Sequence, residues 1–515
     1  MPESWVNLAE SLGADLHLEL TGPGSRRAVL IRALRDAVRS GRLSPGTRLP
    51  PYRSLAADLG IARNTVADAY AELVAEGWLS ARQGSGTRVA RWHFPDGARG
   101  STEPLTTGRA PARRSPASRP AHNLLQGQPD AASFPRTAWL AAARRALTAA
   151  PHDAFGPGDP RGRPELRRAL ADYLARTRGV RTDPERLVIC SGFAHALRLL
   201  LPAVLPGPLA VESYGLPFHR HLLTTAGLRT HPLGLDEHGA DTAQLARLDG
   251  MGAALLTPAH QFPTGVPLHP DRRAAAINWA RATGGFILED DYDGEFRYDR
   301  KPVGALQGLD PEHVLHIGSV SKSLSPAVRL GWMVLPDRLV DAVLEAKGER
   351  EAWAGVTDQL TLAEFLTHGA YDRHIRRMRQ RYRRRRDQLI DTVTAHAPHL
   401  TVTGIAAGLH AVLQLPDGAT ESDEHTALRA ARRQGLALDG LSAYRHPAAT
   451  MPPRHGLVIG YATPTDSAFP GALEALRRAL PQKGPEAHIS GSANHDPPED
   501  PGPSLRDDPP RWDPH

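Results

Sequence analysis

A short segment in the second half of the chain brings together a lysine, two serines and an arginine, namely Lys322, Ser319, Ser321 and Arg329. Only four of the 62 lysine and arginine residues are lysines, so a lysine kept here indicates chemistry that arginine does not perform. A lysine amine forms a Schiff base with an aldehyde, and the two hydroxyls and the guanidinium suit a phosphate dianion. The segment therefore predicts the attachment point of pyridoxal 5'-phosphate (PLP), an aldehyde cofactor that carries a phosphate. The alternative is an ordinary serine-rich loop with a solvated lysine.

A second candidate segment is the acidic run from Glu289 to Tyr298, which follows an apolar stretch typical of a buried strand. Because side chains alternate between the two faces of a strand, we expect Asp290 and Tyr292 to point the same way. The run also has the beginning of a calcium-binding loop. Arg300 stands where the closing glutamate of such a loop belongs, so we predict no metal site here.

The elements that must position these residues follow an alternating pattern. Apolar strand-like runs are predicted at 209–211, 253–256, 285–288 and 314–317, and amphipathic helices at 163–176, 193–204 and 269–283. Strands that alternate with helices in this way are typical of a parallel sheet in an α/β domain.

The N-terminal part of the chain has a different pattern, that of three short helices followed by two strands. The helices are predicted at 26–40, from Pro51 to Gly60, and from Arg63 onward. A glycine turn between two helices, here at Gly60, is a helix-turn-helix signature. The strands, at 77–80 and 87–90, flank a glycine-rich tip and would form a wing.

The N-terminal end of the third helix carries side chains that suit DNA recognition. In the major groove, arginine reads guanine and asparagine reads adenine, and wing arginines contact phosphates or the minor groove. The predicted contacts to double-stranded operator DNA are Arg53, Arg63, Asn64, Thr65, Arg82, Gly84, Ser85 and Gly86. The alternative is a small helical protein-interaction module with solvated arginines.

Composition and charge are compatible with this interpretation. The chain has 515 residues, a formal net charge of +6 and a sequence pI of about 9.6, which suits a nucleic-acid partner. A single cysteine, Cys190, excludes an intramolecular disulfide and suits a reducing compartment. The sequence shows neither a signal peptide nor a run of 18 apolar residues, so we expect a cytoplasmic protein without a membrane partner.

Changes in composition divide the chain into four predicted segments. A winged helix-turn-helix DNA-binding domain at 1–91 precedes a flexible linker at 92–121, which is rich in Pro, Gly, Ala, Arg and Ser. A large α/β domain at 122–482 is followed by a Pro-rich, acidic and disordered tail at 483–515. The predicted fold class is therefore multidomain, with an α/β winged helix and a large α/β domain.

Several spaced motifs together carry a family resemblance. The N-terminal part resembles the winged helix of the GntR regulator family, and its matching segments are 41–50, 54–60, 63–66 and 83–87. The large domain resembles a fold-type-I PLP-dependent aminotransferase, with Lys322 placed 32 residues after Asp290. The chain as a whole is similar to the MocR subfamily of GntR-family transcriptional regulators.

The resemblance assigns roles to individual residues. Lys322 would bind PLP covalently, Asp290 would contact the pyridine nitrogen, and Tyr292 would contact the ring hydroxyl. Arg454 would bind the carboxylate of an effector, since a guanidinium suits bidentate binding. The other cofactor contacts that the resemblance implies are Tyr214, Ser319, Ser321, Arg329, Gly192, Phe193, Ala194 and His260.

The chain also departs from the aminotransferase pattern. Phe262 stands where the enzymes carry asparagine, so the hydrogen bond to the ring oxygen comes from His260 or Gln261 or is absent. Phe155 replaces a tyrosine that in the enzymes reaches the partner subunit's cofactor phosphate, so that contact is lost. In the winged helix, Tyr52 occupies a position where a small residue is common.

The resemblance implies a PLP-dependent transcriptional regulator that acts as a homodimer. It would bind operator DNA and sense PLP, or an amino compound, through an aldimine at Lys322. The alternative is a catalytically active aminotransferase with an accessory DNA-binding head, and multiple turnovers with amino acids would distinguish it. A third possibility is a PLP-free regulator that reuses the fold, against which the intact Lys322, Asp290 and Tyr292 argue.

The run from Arg373 to Arg386 contains nine arginines in 14 residues. One interpretation is a solvated helix face with salt bridges. The other is a second DNA-contacting surface, which a protein that bends or wraps DNA would need.

Overall fold

The structure is a computed structural model. It describes residues 20, 23–39, 43–82, 86–90, 120–201, 204–205, 207–298, 303–348 and 354–480. The chain divides into two compact units, Met1–Arg114 and Ser115–His515. The predicted tail, and the predicted linker apart from residues 120 and 121, lie outside the described residues, so their boundaries stay predictions.

Among its described residues, the first unit contains the three predicted helices. They are α1 (Arg26–Arg39), α2 (Tyr52–Asp58) and α3 (Arg63–Ala75). On α3, Val66, Ala69, Tyr70 and Leu73 are buried, and this i, i+3, i+4, i+7 spacing places them on one helical face. They pack against buried side chains of α1 and α2 in one apolar cluster. Gly60 has a φ of 62°, a left-handed conformation that lets the chain turn sharply before α3.

The predicted wing is confirmed as a pair of antiparallel strands. β1 (Leu79–Arg82) pairs with β2 (Gly86–Val89), so that Leu79 faces Val89. Both of these residues are buried in the same cluster as the three helices, which fixes the wing to the helical body. Residues 83–85, which include the predicted contacts Gly84 and Ser85, lie outside the described residues.

The second unit alternates strands and helices along most of its length. Its strands are β3 (His122–Asn123), β4 (Leu187–Cys190), β5 (Leu209–Glu212), β6 (Thr230–Leu233), β7 (Leu235–Asp236), β8 (Gly239–Ala240), β9 (Ala253–Leu256), β10 (Phe286–Asp290), β11 (Val314–Ser319), β12 (Gly331–Val334), β13 (Thr401–Thr403), β14 (His410–Gln414), β15 (Leu436–Ala437), β16 (Asp439–Gly440) and β17 (Gly456–Gly460). Its helices are α4 (Arg136–Ala149), α5 (Pro164–Arg178), α6 (Phe193–Leu200), α7 (Pro217–Thr225), α8 (Pro270–Thr283), α9 (Asp337–Lys347), α10 (Val356–Thr367), α11 (Ala370–His396), α12 (Glu421–Arg433) and α13 (Phe469–Ala479).

The central sheet has seven strands in the order β4-β12-β11-β10-β9-β5-β6. Neighbouring strands run parallel from β11 to β6, as the alternating pattern predicted, whereas β12 is antiparallel to both of its neighbours. The sheet is therefore mixed rather than purely parallel. Because β12 reverses direction between two strands, the carboxyl ends of β4, β5, β9, β10 and β11 all lie at one edge, where α/β folds bind ligands.

Both faces of this sheet are buried, which explains why its strands read as continuous apolar runs. Successive residues of β10 illustrate the arrangement: Ile287 belongs to the apolar cluster that includes α8, and Leu288 to the cluster that includes α6 and α9. A third cluster combines α5, α10 and α11 with a smaller, four-stranded antiparallel sheet of order β13-β14-β17-β16. No helix among the described residues combines the length and the apolar character that a membrane span requires.

Candidate functional site

A cavity of about 180 Å³ lies at the carboxyl edge of the central sheet. Its wall includes residues at or just after the carboxyl ends of five strands of this sheet, so residues far apart in sequence meet there. Of the predicted cofactor contacts, those that line the cavity are Lys322, Asp290, Tyr292, Tyr214, Ser319, Ser321 and Phe193. The structure thus brings together most of the residues that the sequence singled out for PLP.

Lys322 projects into this cavity from the segment that follows β11. Its Nζ donates a hydrogen bond to the carbonyl of Gly127. A Cβ at Gly127 would lie 3.2 Å from that nitrogen, so a glycine leaves room for the lysine. Burial lowers the pKa of Lys322, while the charges of Asp290 and Asp293 oppose that shift. A lowered pKa increases the fraction of neutral amine, the form that attacks an aldehyde.

Asp290 ends β10 and faces the same cavity. Burial raises its pKa well above the usual value, and the neighbouring carboxylate of Asp291 adds to that effect. A second carboxyl group, Glu212 at the end of β5, also lines the cavity, and burial raises its pKa to about 7. Glu212 accepts hydrogen bonds from the Thr257 hydroxyl, at 2.5 Å, and from the Gln261 amide, at 3.1 Å. We did not predict Glu212, although a carboxyl group that ends a buried apolar strand was an available signal.

Tyr292 lines the cavity and is backed by a histidine and a carboxylate. Its hydroxyl lies 3.0 Å from Nδ1 of His260, and the same Nδ1 lies 2.9 Å from Oδ2 of Asp293. The predicted cofactor contact His260 is therefore placed behind Tyr292 and not in the cavity wall. Burial raises the pKa of Tyr292 well above the usual value, and the charge of Asp293 adds to this, so Tyr292 stays protonated.

The predicted phosphate-binding end of the site combines two hydroxyls and a helix terminus. Ser319 and Ser321 line the cavity, and a Cβ at Gly192 would lie 3.9 Å from the Ser321 hydroxyl oxygen. Gly192 precedes α6, whose first N–H groups, from Phe193 and Ala194, have no intrahelical acceptors and suit an anion.

Arg329 stands out at this end because of its backbone. It has a φ of 54° and is the one non-glycine residue with positive φ among the described residues. Such strain is typical of positions that the surrounding fold holds for a function. The guanidinium forms no hydrogen bond or ion pair with another described residue. The serines and the helix terminus suit a phosphate dianion, whereas the predicted contacts Arg329, Gly192 and Ala194 do not line the cavity.

The structure does not bring Arg454, the predicted effector-carboxylate ligand, into this cavity. Its guanidinium donates to the carbonyl of Leu235 at 3.2 Å and lines a separate cavity of about 930 Å³. Its backbone N–H donates to the Tyr214 hydroxyl at 2.8 Å. Tyr214 therefore stands between the two cavities, with its ring in the wall of the first.

Several residues in the cavity wall were not predicted. Phe262, where the enzymes carry asparagine, packs edge-on against Tyr292 with ring centroids 5.9 Å apart. His219 stacks near Phe193 at 4.6 Å, and burial lowers its pKa to about 3, so its imidazole is neutral. His410 also lines the cavity, and burial likewise lowers its pKa to about 3. No simple spacing rule links these positions to Lys322.

The candidate DNA contacts in the first unit lie on its surface. Arg63 and Asn64 are exposed in the first turn of α3, and Thr65 is half-buried beside them. The Arg63 guanidinium lies 5.1 Å from the centroid of the Tyr52 ring, which orients it by a cation–π contact. Arg53 is exposed on α2, and Gly86 begins β2 with a φ of 76°. Arg82 ends β1, but its side chain lies outside the described residues.

Comparison with protein families assigns both units. Residues 27–89 match the family described as "Bacterial regulatory proteins, gntR family". Residues 120–445 match "Aminotransferase class I and II".

Two curated relatives share this organisation over most of their length. The chain is 34% identical to the HTH-type pyridoxine biosynthesis transcriptional regulator PdxR of Corynebacterium glutamicum, over 78% of this chain and 86% of PdxR. It is 31% identical to the probable rhizopine catabolism regulatory protein MocR of Rhizobium meliloti, over 88% of this chain and 93% of that protein.

A solved structure supports the fold of the large unit. The kynurenine aminotransferase of Pyrococcus horikoshii superposes with a TM-score of 0.63 at 22% identity, covering 70% of this chain and 91% of the enzyme. The chain belongs to the MocR subfamily of GntR-type transcriptional regulators, in which a winged helix is joined to a fold-type-I aminotransferase-like domain.

Proposed function

We propose that this regulator binds operator DNA through its winged helix and holds PLP on Lys322, and that PLP occupancy changes its DNA affinity. The observation that carries the proposal is the convergence of Lys322, Asp290, Tyr292 and Tyr214 on one cavity at the carboxyl edge of the sheet. Each of these side chains suits a different part of the cofactor, and a solvated serine-rich loop would show no such convergence.

The cavity's own residues account for how the cofactor would be held. When bound, PLP supplies an aldehyde that condenses with amines and a ring that withdraws electrons. Asp290, with its raised pKa, would share a proton with the pyridine nitrogen. Ser319, Ser321 and Arg329 would bind the phosphate, and the ring of Tyr214 would stack on the pyridine.

The contacts behind Tyr292 determine the direction of its hydroxyl proton. Because the Asp293 carboxylate only accepts hydrogen bonds, it orients a proton on Nδ1 of His260 toward itself. That N–H cannot also accept from Tyr292, so the tyrosine O–H donates either to the Asp293 carboxylate, with which it also forms a hydrogen bond, or into the cavity. The His260–Asp293 pair would thereby replace the asparagine of the aminotransferases, whose position Phe262 fills with an apolar ring.

We further propose that the regulator senses PLP itself and not an amino acid that reacts with PLP. The cavity wall contains one arginine, Arg220, among the described residues. Its guanidinium donates to the carbonyls of Gly215 at 2.7 Å and Tyr444 at 3.0 Å, which leaves it poorly placed to bind a carboxylate. Arg454 faces the other cavity. The relationship to PdxR, a regulator of pyridoxine biosynthesis, supports the same choice.

A homodimer is part of this proposal. Three large apolar side chains on α4 and just after it are exposed, Leu140 at 68%, Leu147 at 37% and Phe155 at 55%. Exposed apolar groups of this size, clustered in one stretch of chain, are typical of an interface. A second copy of the chain would cover them, as the fold-type-I resemblance implies.

The alternative, an aminotransferase with an accessory DNA-binding head, is not favoured. Both curated relatives described above are named as regulators, and the likeness to solved aminotransferases shows the fold alone. The one arginine in the cavity wall among the described residues, Arg220, already donates to backbone carbonyls, which leaves it poorly placed for the carboxylate of an amino-acid substrate.

The test compares the PLP-loaded and cofactor-free chain for binding to the DNA upstream of its own gene. Salt must be fixed, because the affinity of basic proteins for DNA depends steeply on it. We expect PLP to change specific affinity at least fivefold, corresponding to about 1 kcal/mol of coupling. Lys322→Ala should lose the visible absorption of the lysine-bound cofactor and the response to PLP. An unchanged spectrum in Lys322→Ala would exclude attachment at this lysine, and an unchanged affinity with PLP would point to another amine as the signal.

A further inference from the structure

Helix α11 sorts eight of the nine arginines of the run 373–386 into two groups, and the ninth, Arg386, is half-buried and belongs to neither. The first group faces the protein and is fully engaged. Arg379 donates to the backbone carbonyl of Glu295 at 2.7 Å, and Arg381 pairs with Asp130 and Asp466, both at 2.7 Å. Arg385 donates to the carbonyl of Tyr461 at 3.1 Å and also pairs with Asp466. These three arginines hold the helix in place and need no further partner.

The second group faces solvent, and we call it the arginine face. It consists of Arg373, Arg376, Arg377, Arg383 and Arg384, all of which are exposed. Among the described residues, the one carboxylate within ion-pair distance of this face is Asp387, 3.9 Å from Arg383. Arg373 donates to the backbone carbonyl of His368, and Arg377 donates to Nδ1 of His374.

The spacing of the arginine face places its charges on one stripe of the helix. Positions i, i+3, i+4, i+10 and i+11 return to the same side, and at 1.5 Å per residue the stripe is about 16 Å long. Like charges at these spacings repel and cost roughly 0.2–0.5 kcal/mol per pair. A helix that only needed a solvated surface would intersperse acidic residues, as the acidic first turn of α12 does.

A hollow beside the face increases its capacity for anions. Arg377 and Arg384 line a cavity of about 650 Å³ together with Arg136 and the first turn of α4. Backbone N–H groups at the start of a 14-residue helix such as α4 favour negative charge. The carboxylate that lines this hollow, Asp466, is already paired with Arg381 and Arg385.

We propose that the arginine face is a second contact of this regulator with DNA, one that binds the phosphate backbone. Each strand of a duplex carries one phosphate per about 3.4 Å of helix axis, so a stripe of about 16 Å spans roughly five phosphates on one strand, of which we expect the face to contact about two or three. Protein–DNA interfaces are polar and strongly cationic, whereas the core of a protein–protein interface is apolar and depleted in charge. The face carries arginine and Gln380 and has no exposed apolar side chain.

The inference rests on the proposed DNA-binding function but concerns a different surface. A winged helix alone covers a short site. A second, sequence-independent contact would bind flanking DNA, add affinity without adding base specificity, and make affinity depend on fragment length. It would also favour DNA that bends toward the second unit, since bending is stabilised by the additional contacts it permits.

The experiment uses the full-length, PLP-loaded chain and two DNA fragments. One is trimmed to the winged-helix footprint, and the other extends it by about 20 base pairs on each side, or roughly two helical turns. The test variant replaces Arg376, Arg377, Arg383 and Arg384 with glutamine. The matched control makes the same change in net charge at four other exposed arginines, Arg168, Arg247, Arg432 and Arg433. An Arg→Lys version of the test variant keeps the charge.

We expect the glutamine test variant to bind the long fragment about tenfold more weakly and the short fragment unchanged. The slope of log affinity against log salt on the long fragment should fall by about 2, since each lost phosphate contact removes about 0.9. The lysine version should retain most of the affinity. If the test and control variants lost affinity equally, the loss would be due to net charge alone and the proposal would be overturned. It would also be overturned if the test variant bound the long fragment as tightly as the wild type. If the wild-type chain bound neither fragment, the proposed DNA-binding function itself would be wrong.

Discussion

The DNA-reading end of α3 and the cavity of the second unit differ in how their functional residues are brought together. Arg63, Asn64 and Thr65 are consecutive in sequence, lie in one turn of helix, and are exposed or half-buried. The cavity is assembled from segments that extend from Gln126 to His410, and its carboxyl groups, Glu212 and Asp290, are buried. One region is a local surface, and the other exists only when the whole unit is folded.

This difference determines what a substitution does. An exposed side chain without a buried partner can be removed with little effect on stability, so its loss is felt in binding alone. A buried charge is held by other buried groups, and its loss affects stability as well. Arg178 and Asp291 are a buried charged pair of this kind, and Asp291 directly follows Asp290 at the end of β10.

Arg178→Gln should give the largest effect on stability. The guanidinium contacts both carboxylate oxygens of Asp291, at 2.7 and 2.8 Å, and each side chain is 5% exposed. Its removal leaves a buried carboxylate without its cation, which costs about 3–5 kcal/mol. Guanidinium chloride unfolding of the second unit, followed by tryptophan fluorescence, measures the loss. The surface pair Arg176–Asp372, in the same unit, is the matched control, because Arg176→Gln should cost less than about 1 kcal/mol.

The same variant should show a characteristic pH dependence. In the wild type, Arg178 counteracts burial and holds the pKa of Asp291 below its usual value. The pair therefore stabilises the fold at pH values above the usual pKa of an aspartate, and this stabilisation is lost as the pH falls through the lowered pKa. Without the arginine, burial raises the pKa of Asp291, and ionisation then opposes folding. The difference between variant and wild type should therefore grow from pH 4 to pH 8, and a difference that shrinks over this range would contradict the ion-pair interpretation.

Arg63→Ala and Asn64→Ala should affect DNA recognition and leave the second unit intact. A good bidentate contact to a base edge contributes about 1–3 kcal/mol of discrimination, so each variant should lose roughly 5- to 150-fold in specific affinity. Fluorescence anisotropy with operator and scrambled DNA at one salt concentration measures this ratio. Equal losses on both DNAs would assign these side chains to phosphates and not to bases. The visible absorption of bound PLP should stay as in the wild type.

The two regions also differ in how well the sequence predicted them. The sequence signals for α3 are local, so its start at Arg63 was predicted correctly. In the second unit, strands at 253–256 and after residue 285 were also located correctly, but their directions were not all predicted. An apolar strand reads the same in either direction, so the antiparallel course of β12 had no signal in the sequence.

Side-chain direction was the other gap. Arg454 lies two residues before β17, as the family motif indicated, yet its guanidinium is turned to Leu235 in the second cavity. His260 was expected to contact the cofactor, and the structure places it behind Tyr292. Glu212 and His219 line the cavity because of how β5 and α7 pack, which depends on contacts far away in sequence. Family motifs locate residues along the chain, but tertiary packing decides where they point.

Asp293→Asn should give the smallest of these effects and the most specific one. The substitution keeps the shape of the side chain and an oxygen that accepts from His260 Nδ1, but removes a negative charge that lies behind Tyr292. The Asp293 charge raises the pKa of Tyr292. In Asp293→Asn, a proton that Tyr292 shares with the ring oxygen of bound PLP should therefore dissociate more readily. We expect the pKa of the visible absorption band to fall by about one unit, or about 1.4 kcal/mol. Asp372→Asn, which removes a charge at the surface pair with Arg176, is the control and should not shift the band. A band that titrates at the same pH, or higher, in Asp293→Asn would show that the His260–Asp293 pair does not act on the cofactor through Tyr292.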